Sequence, residues 1–287
     1  MIETKPETNP LVSLVVTTKN SGAVLRACLE SARRQDHARL EIIVVDNGSS
    51  DDTLQIAHEL ADVVLQAGPE RSAQRNAGIR AARGRYVAIL DSDMVLDPDV
   101  VSSCVAAAQR SGARGICIPE ESFGSGFWSR CKAFERDFYR FDQTVTAARF
   151  FEREHILELG GYDETMTGTE DWDMSIRALG AAPMVFCAGL IRHDEGRQTL
   201  ALLFAKKYYY ARALPQFVRK HGNAAMARLT PMRQALLNNA GEFLRHPVLG
   251  GGLIVMKSWE LVGAVLGLLD RRPRRPGELY GRSRASR

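Results

Sequence analysis

Two carboxylates stand one residue apart at the end of an apolar run: Val87–Leu90 is followed by Asp91, Ser92 and Asp93. In extended chain, residues i and i+2 point to one side, so the two acids repel. A divalent cation relieves that repulsion, and so do sugar hydroxyls donating to one of the acids. A solvated turn, with Asp97 capping a helix that begins at Pro98, accounts for the same residues without any ligand. Asp46 closes a second apolar run, Leu40–Asp46, where its carboxylate can accept from a pyrimidine ring N–H or a ribose. After it Gly48 permits a tight turn, and Ser49–Thr53 reads as turn and cap chemistry, with Ser50, Asp51 or Asp52 suiting the next helix start.

A third cluster lies in "GTEDWDMSIRALG". Thr167 and Glu170 have capping-box spacing, and Asp173 and Arg177 at i, i+4 suit an ion pair. Asp171 is then the candidate general base. Its neighbour Trp172 offers an apolar wall that raises a carboxylate pKa and a face for a sugar ring. His193, in "IRHDEG", is a ligand only if its loop returns to the carboxylates; otherwise it is an ordinary structural histidine. Arg71 and Arg75 face phosphates or are exposed helix charges, and composition does not separate these.

The elements that must position these side chains follow from periodicity. Continuous apolar runs at Leu11–Thr18, Leu40–Asp46 and Arg85–Asp91 read as strands buried on both faces. Amphipathic stretches alternate with them, which predicts an α/β fold: a mostly parallel sheet with helices on both faces. In such sheets ligands bind beyond the strand C-termini, so Asp46 and Asp91 are delivered to one crevice. A helix is expected over 98–110, then a Gly/Ser-rich break at "ESFGSG", an aromatic helix "FWSRCKAFERDFYRF", a strand "PMVFCAG", and only helices after residue 199.

The composition, 45% hydrophobic and 25% charged, is that of a globular chain with a substantial core. Five cysteines without a C-x-x-C pair suit a reducing cytoplasm rather than a disulfide framework, and the polar opening "MIETKPETNP" does not resemble a signal peptide. The net charge of +4 hides an asymmetry: Arg271–Arg287 holds seven arginines and one acid, and the rest is near neutral. That argues against nucleic acid as a partner.

Five stretches, "VVTTKN", "IIVVDNGSSDDT", "RNAGIRAARGRYVAILDSDMVLDPD", "GGYDE" and "GTEDWDMSIRA", resemble the successive motifs of the family-2 glycosyltransferases in order and spacing. The resemblance covers residues 11–195. It implies a GT-A, Rossmann-type fold and inverting transfer from a nucleotide-diphosphate sugar, with Mg²⁺ or Mn²⁺ as cofactor. By the same resemblance Asp46 binds the base, usually uracil, and Asp91 the ribose. Asp93 ligates the cation, with His193 as a further ligand, and Asp171 takes the acceptor proton. Thr17, Thr18, Asn20 and Ser92 line the nucleotide, and Arg71 supports the diphosphate. Thr17 stands where the family often has proline. A hydroxyl of a glycan or lipid-linked envelope acceptor is the leading acceptor. A polyprenyl-phosphate sugar synthase, which needs no strong base, and a noncatalytic nucleotide-sugar binding module are the alternatives.

These readings divide the chain into a catalytic domain (1–198), a helical extension (199–245) and an apolar helix with an arginine-rich tail (246–287). The apolar stretch contains Lys257 and Glu260, which are costly in a spanning helix. An interfacial helix with its arginines on anionic lipid fits better, as does a helix packed on the domain or in a homodimer. The expected location is the cytoplasm, peripheral to the inner face of the cell membrane.

Overall fold

The computed structural model describes residues 9–142, 145–180, 185–229, 234–270 and Arg272. The rest of the arginine-rich segment and the start of the expected strand at 183–189 lie outside the described residues. Two compact units are formed: Met1–Pro119, Ala148–Tyr162 and Met174–Ile191 make the first, and Glu120–Ala147, Asp163–Asp173 and Arg192–Arg287 the second.

The chain begins with β1 (Val12–Thr18), α1 (Gly22–Arg33), β2 (Leu40–Asp46), α2 (Thr53–Leu60), β3 (Val63–Gln66), α3 (Arg71–Ala81), β4 (Tyr86–Asp91), β5 (Met94–Leu96), α4 (Val100–Ser111) and β6 (Gly115–Cys117). It contributes β7 (Glu120–Ser125) and α5 (Phe127–Asp137) to the second unit, then β8 (Ala148–Glu152) and α6 (Arg153–Glu158) to the first. α7 (Glu170–Leu179), β9 (Val185–Phe186) and β10 (Ile191–Arg197) follow. Among the described residues that follow, the elements are helices: α8 (Leu200–Ala211), α9 (Leu214–His221), α10 (Asn223–Leu229), α11 (Gln234–Asn238), α12 (Ala240–Arg245) and α13 (Pro247–Leu269).

The first unit is built on a sheet of order β3-β2-β1-β4-β8-β6-β9 among the described residues. β1, β2, β3 and β4 pair in parallel; β8 runs antiparallel to both its neighbours, β4 and β6. Side chains alternate between two cores, as a two-residue period requires. Leu14, Val16, Ile42, Val44, Ala88 and Leu90 pack with α1, α2 and α4, whereas Val15, Ile43, Val45, Val87 and Ile89 pack with α3 and α6. The mostly parallel α/β sheet is thus covered on both faces, as the apolar runs predict.

Several local expectations are corrected. The helix expected over 98–110 begins at Val100, and Asp97 supplies its main-chain carbonyl, which accepts from the Val100 N–H at 3.2 Å. Asp51 caps more than its own helix: its carboxylate accepts from Thr53 N–H at 3.2 Å and from Gly22 N–H, at the start of α1, at 3.1 Å. α7 starts at Glu170, so the helix-initiating residue is Thr169 rather than Thr167. The presumed break at "ESFGSG" is strand β7, because Gly124 lets two backbones meet: a Cβ there would lie 2.5 Å from the Gly196 carbonyl oxygen of β10. "IRHDEGR", read as a loop, is β10 itself.

In the second unit, α13 packs on α8 and α5 around Cys131, Leu203, Leu253 and Met256. Gly263 and Gly267, at i, i+4, bring α13 against the α8 backbone; added Cβ atoms would lie 2.8 and 2.2 Å from the Phe204 and Tyr208 carbonyl oxygens. The two charges of α13 are turned inward. Lys257 Nζ lies 2.9 Å from Glu135 and 2.6 Å from Glu260, and Lys132 Nζ lies 2.8 Å from Glu135. Burial raises both carboxyls, but the lysines outweigh it and hold them below the usual range. The outer side of α13 exposes Ile254, Val255, Trp259, Leu261, Val262, Leu266 and Leu269.

Candidate functional site

The register of the sheet assembles the first part of the site. Thr18 of β1 lies opposite Asp46 of β2, and Thr17 lies opposite Asp91 of β4. These strand ends flank β1, where the order of strands reverses, and such a switch point opens a crevice beyond the carboxyl ends. Asp46 is fully buried and accepts from the Ser49 N–H at 2.8 Å and from the Ser49 hydroxyl. Ser49 Oγ also accepts from the Asn20 N–H at 2.8 Å, and Asn20 Oδ1 accepts from the Ser50 N–H at 2.9 Å. Asn20 holds φ at +47°, a left-handed conformation that asparagine tolerates better than most residues. Ser92 Oγ donates to Ser21 Oγ at 2.9 Å, which ties the β4 turn to the same loop. The loops after β1, β2 and β4 therefore form one hydrogen-bonded rim.

α3 supports this rim from beneath through a buried polar face that no apolar periodicity announces. Gln74 Nε2 donates to the Thr18 and Val45 carbonyls at 2.9 and 2.7 Å, satisfying the strand ends where the ladder stops. Asn76 exchanges hydrogen bonds with the Tyr162 backbone at 2.9 and 2.8 Å. Arg75, expected to face phosphate or solvent, does neither: it is fully buried, donates to Asp91 Oδ1 at 3.1 Å and lies over the Tyr162 ring. Arg149 of β8 approaches Asp91 Oδ2 at 3.8 Å, and Thr17 Oγ1 donates to Oδ1 at 3.4 Å. Arg149 was not among the sequence candidates, since an arginine at the start of "ARFFE" gives no hint of a distant acid. Arg71 is half-buried at the first residue of α3. The Thr18 hydroxyl is buried with no hydrogen-bond partner among the described residues. A polar atom left so beside Asp46 is an opening for a ligand group.

Asp93 is half-buried in the turn between β4 and β5. Burial, followed by the charges of Asp93 and Asp91, pushes the Cys28 thiol far above its ordinary range, so Cys28 is inert. Among the described residues, no three His, Cys, Asp or Glu side chains gather as a metal-binding group. With Asp91 engaged by arginines, Asp93 in the turn after β4 is the carboxylate that would hold a cation, and a carboxylate oxygen donor suits Mg²⁺ or Mn²⁺.

The other candidates belong to the second unit. Asp171 is half-buried in the first turn of α7. The indole N–H of Trp172 donates to the Val145 carbonyl at 2.8 Å and its ring tilts against Phe217. Asp173, fully buried, lies 2.7 Å from His221 Nε2 and 2.8 Å from Lys220 Nζ. Its i+4 neighbour Arg177, in the first unit, donates to the Leu159 and Gly161 carbonyls at 3.0 and 2.8 Å. His193 sits on β10, not in a loop, with Nδ1 3.3 Å from Glu120 on β7. Burial raises Glu195 on the same strand, yet His193 and Arg136 outweigh it and hold the carboxyl down at about 2.

A family model described as glycosyl transferase family 2 matches residues 13–160. EpsH of Bacillus subtilis is 40% identical over 114 residues, covering 38% of this chain and 33% of its own. Chondroitin synthase of Escherichia coli is 25% identical over 223 residues, covering 70% of this chain and 32% of its own. The chain thus spans about a third of the length of these relatives. Among solved structures, a mannosyltransferase of Pyrobaculum calidifontis in complex with GDP-Man and Mn²⁺ superposes with a TM-score of 0.65 at 17% identity. That match covers 93% of this chain and 89% of the other.

Proposed function

Because the chain belongs to glycosyl transferase family 2 and has the GT-A fold, we propose that it is an inverting glycosyltransferase using a nucleotide-diphosphate sugar. UDP-sugars are the first donors to test, and the acceptor is a hydroxyl of a glycan or lipid-linked component of the cell envelope. The observation that carries this reading is the alignment of Asp46, Thr17, Thr18 and Asp91 at adjoining strand ends, beneath a rim that includes Asn20 and Ser92. Asp46 and the unpartnered Thr18 hydroxyl suit a base. Asp91, oriented by Arg75 and Arg149, presents acceptor oxygens to a ribose. Asp93 is the cation-holding carboxylate, and Arg71 sits at the helix start where a diphosphate is favoured. His193, its Nδ1 3.3 Å from Glu120, would be a further cation ligand, steadied by a carboxylate as ligand histidines commonly are. The cation supplies positive charge that stabilises the departing nucleoside diphosphate.

Asp171 accepts the proton of the acceptor hydroxyl as that oxygen attacks the anomeric carbon. The C–O bond to the nucleoside diphosphate breaks on the opposite face, so one displacement inverts the centre and one carboxylate base suffices. We assign the protein to the cytoplasm, resting through α13 on an anionic membrane surface. The test is nucleoside-diphosphate release from UDP-glucose, UDP-N-acetylglucosamine and GDP-mannose, with Mn²⁺ and a panel of alkyl glycosides. Asp171→Asn should abolish acceptor-dependent release while thermal-shift affinity for the nucleotide stays within about twofold of wild type. Undiminished turnover in that variant would sink the assignment; full activity retained only toward a polyprenyl phosphate would replace it with the phosphate-acceptor reading.

A further inference from the structure

The segment 163–173, which carries Asp171, is held at both ends by one face of α9. Gln216, Phe217, Lys220 and His221 occur at i, i+1, i+4 and i+5, the spacing of a single helical face. At the near end of the segment, the Gln216 amide donates to the Thr165 hydroxyl and Lys220 Nζ lies 2.8 Å from Asp163. At the far end, Lys220 Nζ and His221 Nε2 lie 2.8 and 2.7 Å from the same oxygen of Asp173, and fully buried Phe217 meets the Trp172 ring. Between them Gly168, at φ +83°, is pressed onto α8: a Cβ there would lie 2.4 Å from the Tyr210 ring. A buried carboxylate such as Asp173 needs the Lys220 ammonium and a hydrogen-bonding partner, so these contacts are not incidental. Burial raises Asp163, but hydrogen bonds from Lys220 and Thr165 outweigh it and hold the carboxyl at about 2.

We propose that Lys220 and His221 are positioning residues that fix the first turn of α7 through Asp173, and so fix the Asp171 carboxylate for proton abstraction. The inference rests on Asp171 being the base. Residues 172 and 173, immediately after it, are both pinned, so α9 sets where the carboxylate can reach. Displacing a catalytic group by about 1 Å can cost on the order of 10²-fold in rate.

Lys220→Met, Lys220→Arg and His221→Gln test this with two readouts. The first is acceptor-dependent nucleoside-diphosphate release with the same donor panel. Lys220→Met should lower kcat by about 10- to 100-fold with donor KM within about twofold; Lys220→Arg and His221→Gln should recover most of kcat. The second readout is amide hydrogen exchange over 163–174, which Lys220→Met should accelerate about tenfold and Lys220→Arg restore. Unchanged exchange in Lys220→Met overturns the clamp. An unchanged kcat, or a loss of kcat and donor affinity together that Lys220→Arg does not rescue, overturns the positioning role. A fully active Asp171→Asn overturns the base assignment instead and leaves the exchange result to decide the clamp.

Discussion

Asp91 and Asp93 pose a local problem that the protein solves with its own cations. Arg75, with no exposed surface, and Arg149 address the two oxygens of Asp91, so its charge is compensated without any ligand. Removing one partner of a buried pair strands the other in low dielectric. Arg75→Met should therefore destabilise the fold by about 3 kcal/mol in urea unfolding, and addition of a nucleoside diphosphate with Mn²⁺ should recover part of the loss. Asp46 and Asp91 were legible because each ends an apolar run, and a strand end in a parallel sheet has a fixed meaning. Arg75 and Arg149 were not. An ion pair spanning 16 residues, or 58, leaves no trace in local spacing, and a buried arginine on a polar helix looks like a surface one.

At the level of elements, periodicity found β1, β2, β4 and the helices between them, since these bury apolar side chains on two faces. It missed β7 and β10 for the opposite reason. "EESFGS" and "IRHDEGR" are polar strands whose pairing depends on Gly124 meeting the Gly196 carbonyl. The buried Gln74, Arg75 and Asn76 of α3 give it a supporting role that amphipathicity cannot signal. The packing of α13 on α8 is likewise a matter of small residues. Gly267→Val would drive a side chain into the Tyr208 carbonyl, and overpacking of this kind costs about 1–3 kcal/mol. The expected result is a lower thermal midpoint, with amide exchange accelerated in α8 and α13 but not in β1, β2 or β4.

For the molecule as a whole, the distribution of charge matters more than its sum. α13 is 23 residues long with a mean hydropathy of 1.6 over its apolar window, enough to cross a membrane by length and composition. Its Lys257 and Glu260 are committed to Glu135 and Lys132, while its outer face is apolar and includes Trp259. Seven arginines follow between residues 271 and 287. An in-plane helix accommodates all three facts: inward charges, an apolar lower face, and cations for anionic headgroups. The protein should float with phosphatidylglycerol vesicles, weakly with phosphatidylcholine, and less at high salt. Val262→Asp with Leu266→Asp should cut binding at least about tenfold. Equal flotation, or loss of a dimer in place of loss of lipid binding, would refute the membrane reading.

The grip of α9 on 163–173 carries a consequence for recombination. The family match ends at residue 160, so a chimera with another member invites a crossover just after it. Such a crossover keeps 163–173 with its own α9, whereas one placed between residues 173 and 214 would set 163–173 against a foreign helix in place of Gln216, Phe217, Lys220 and His221. Segments 163–173 and 214–221 are therefore a single inheritable block, far apart in the chain and exchangeable only together.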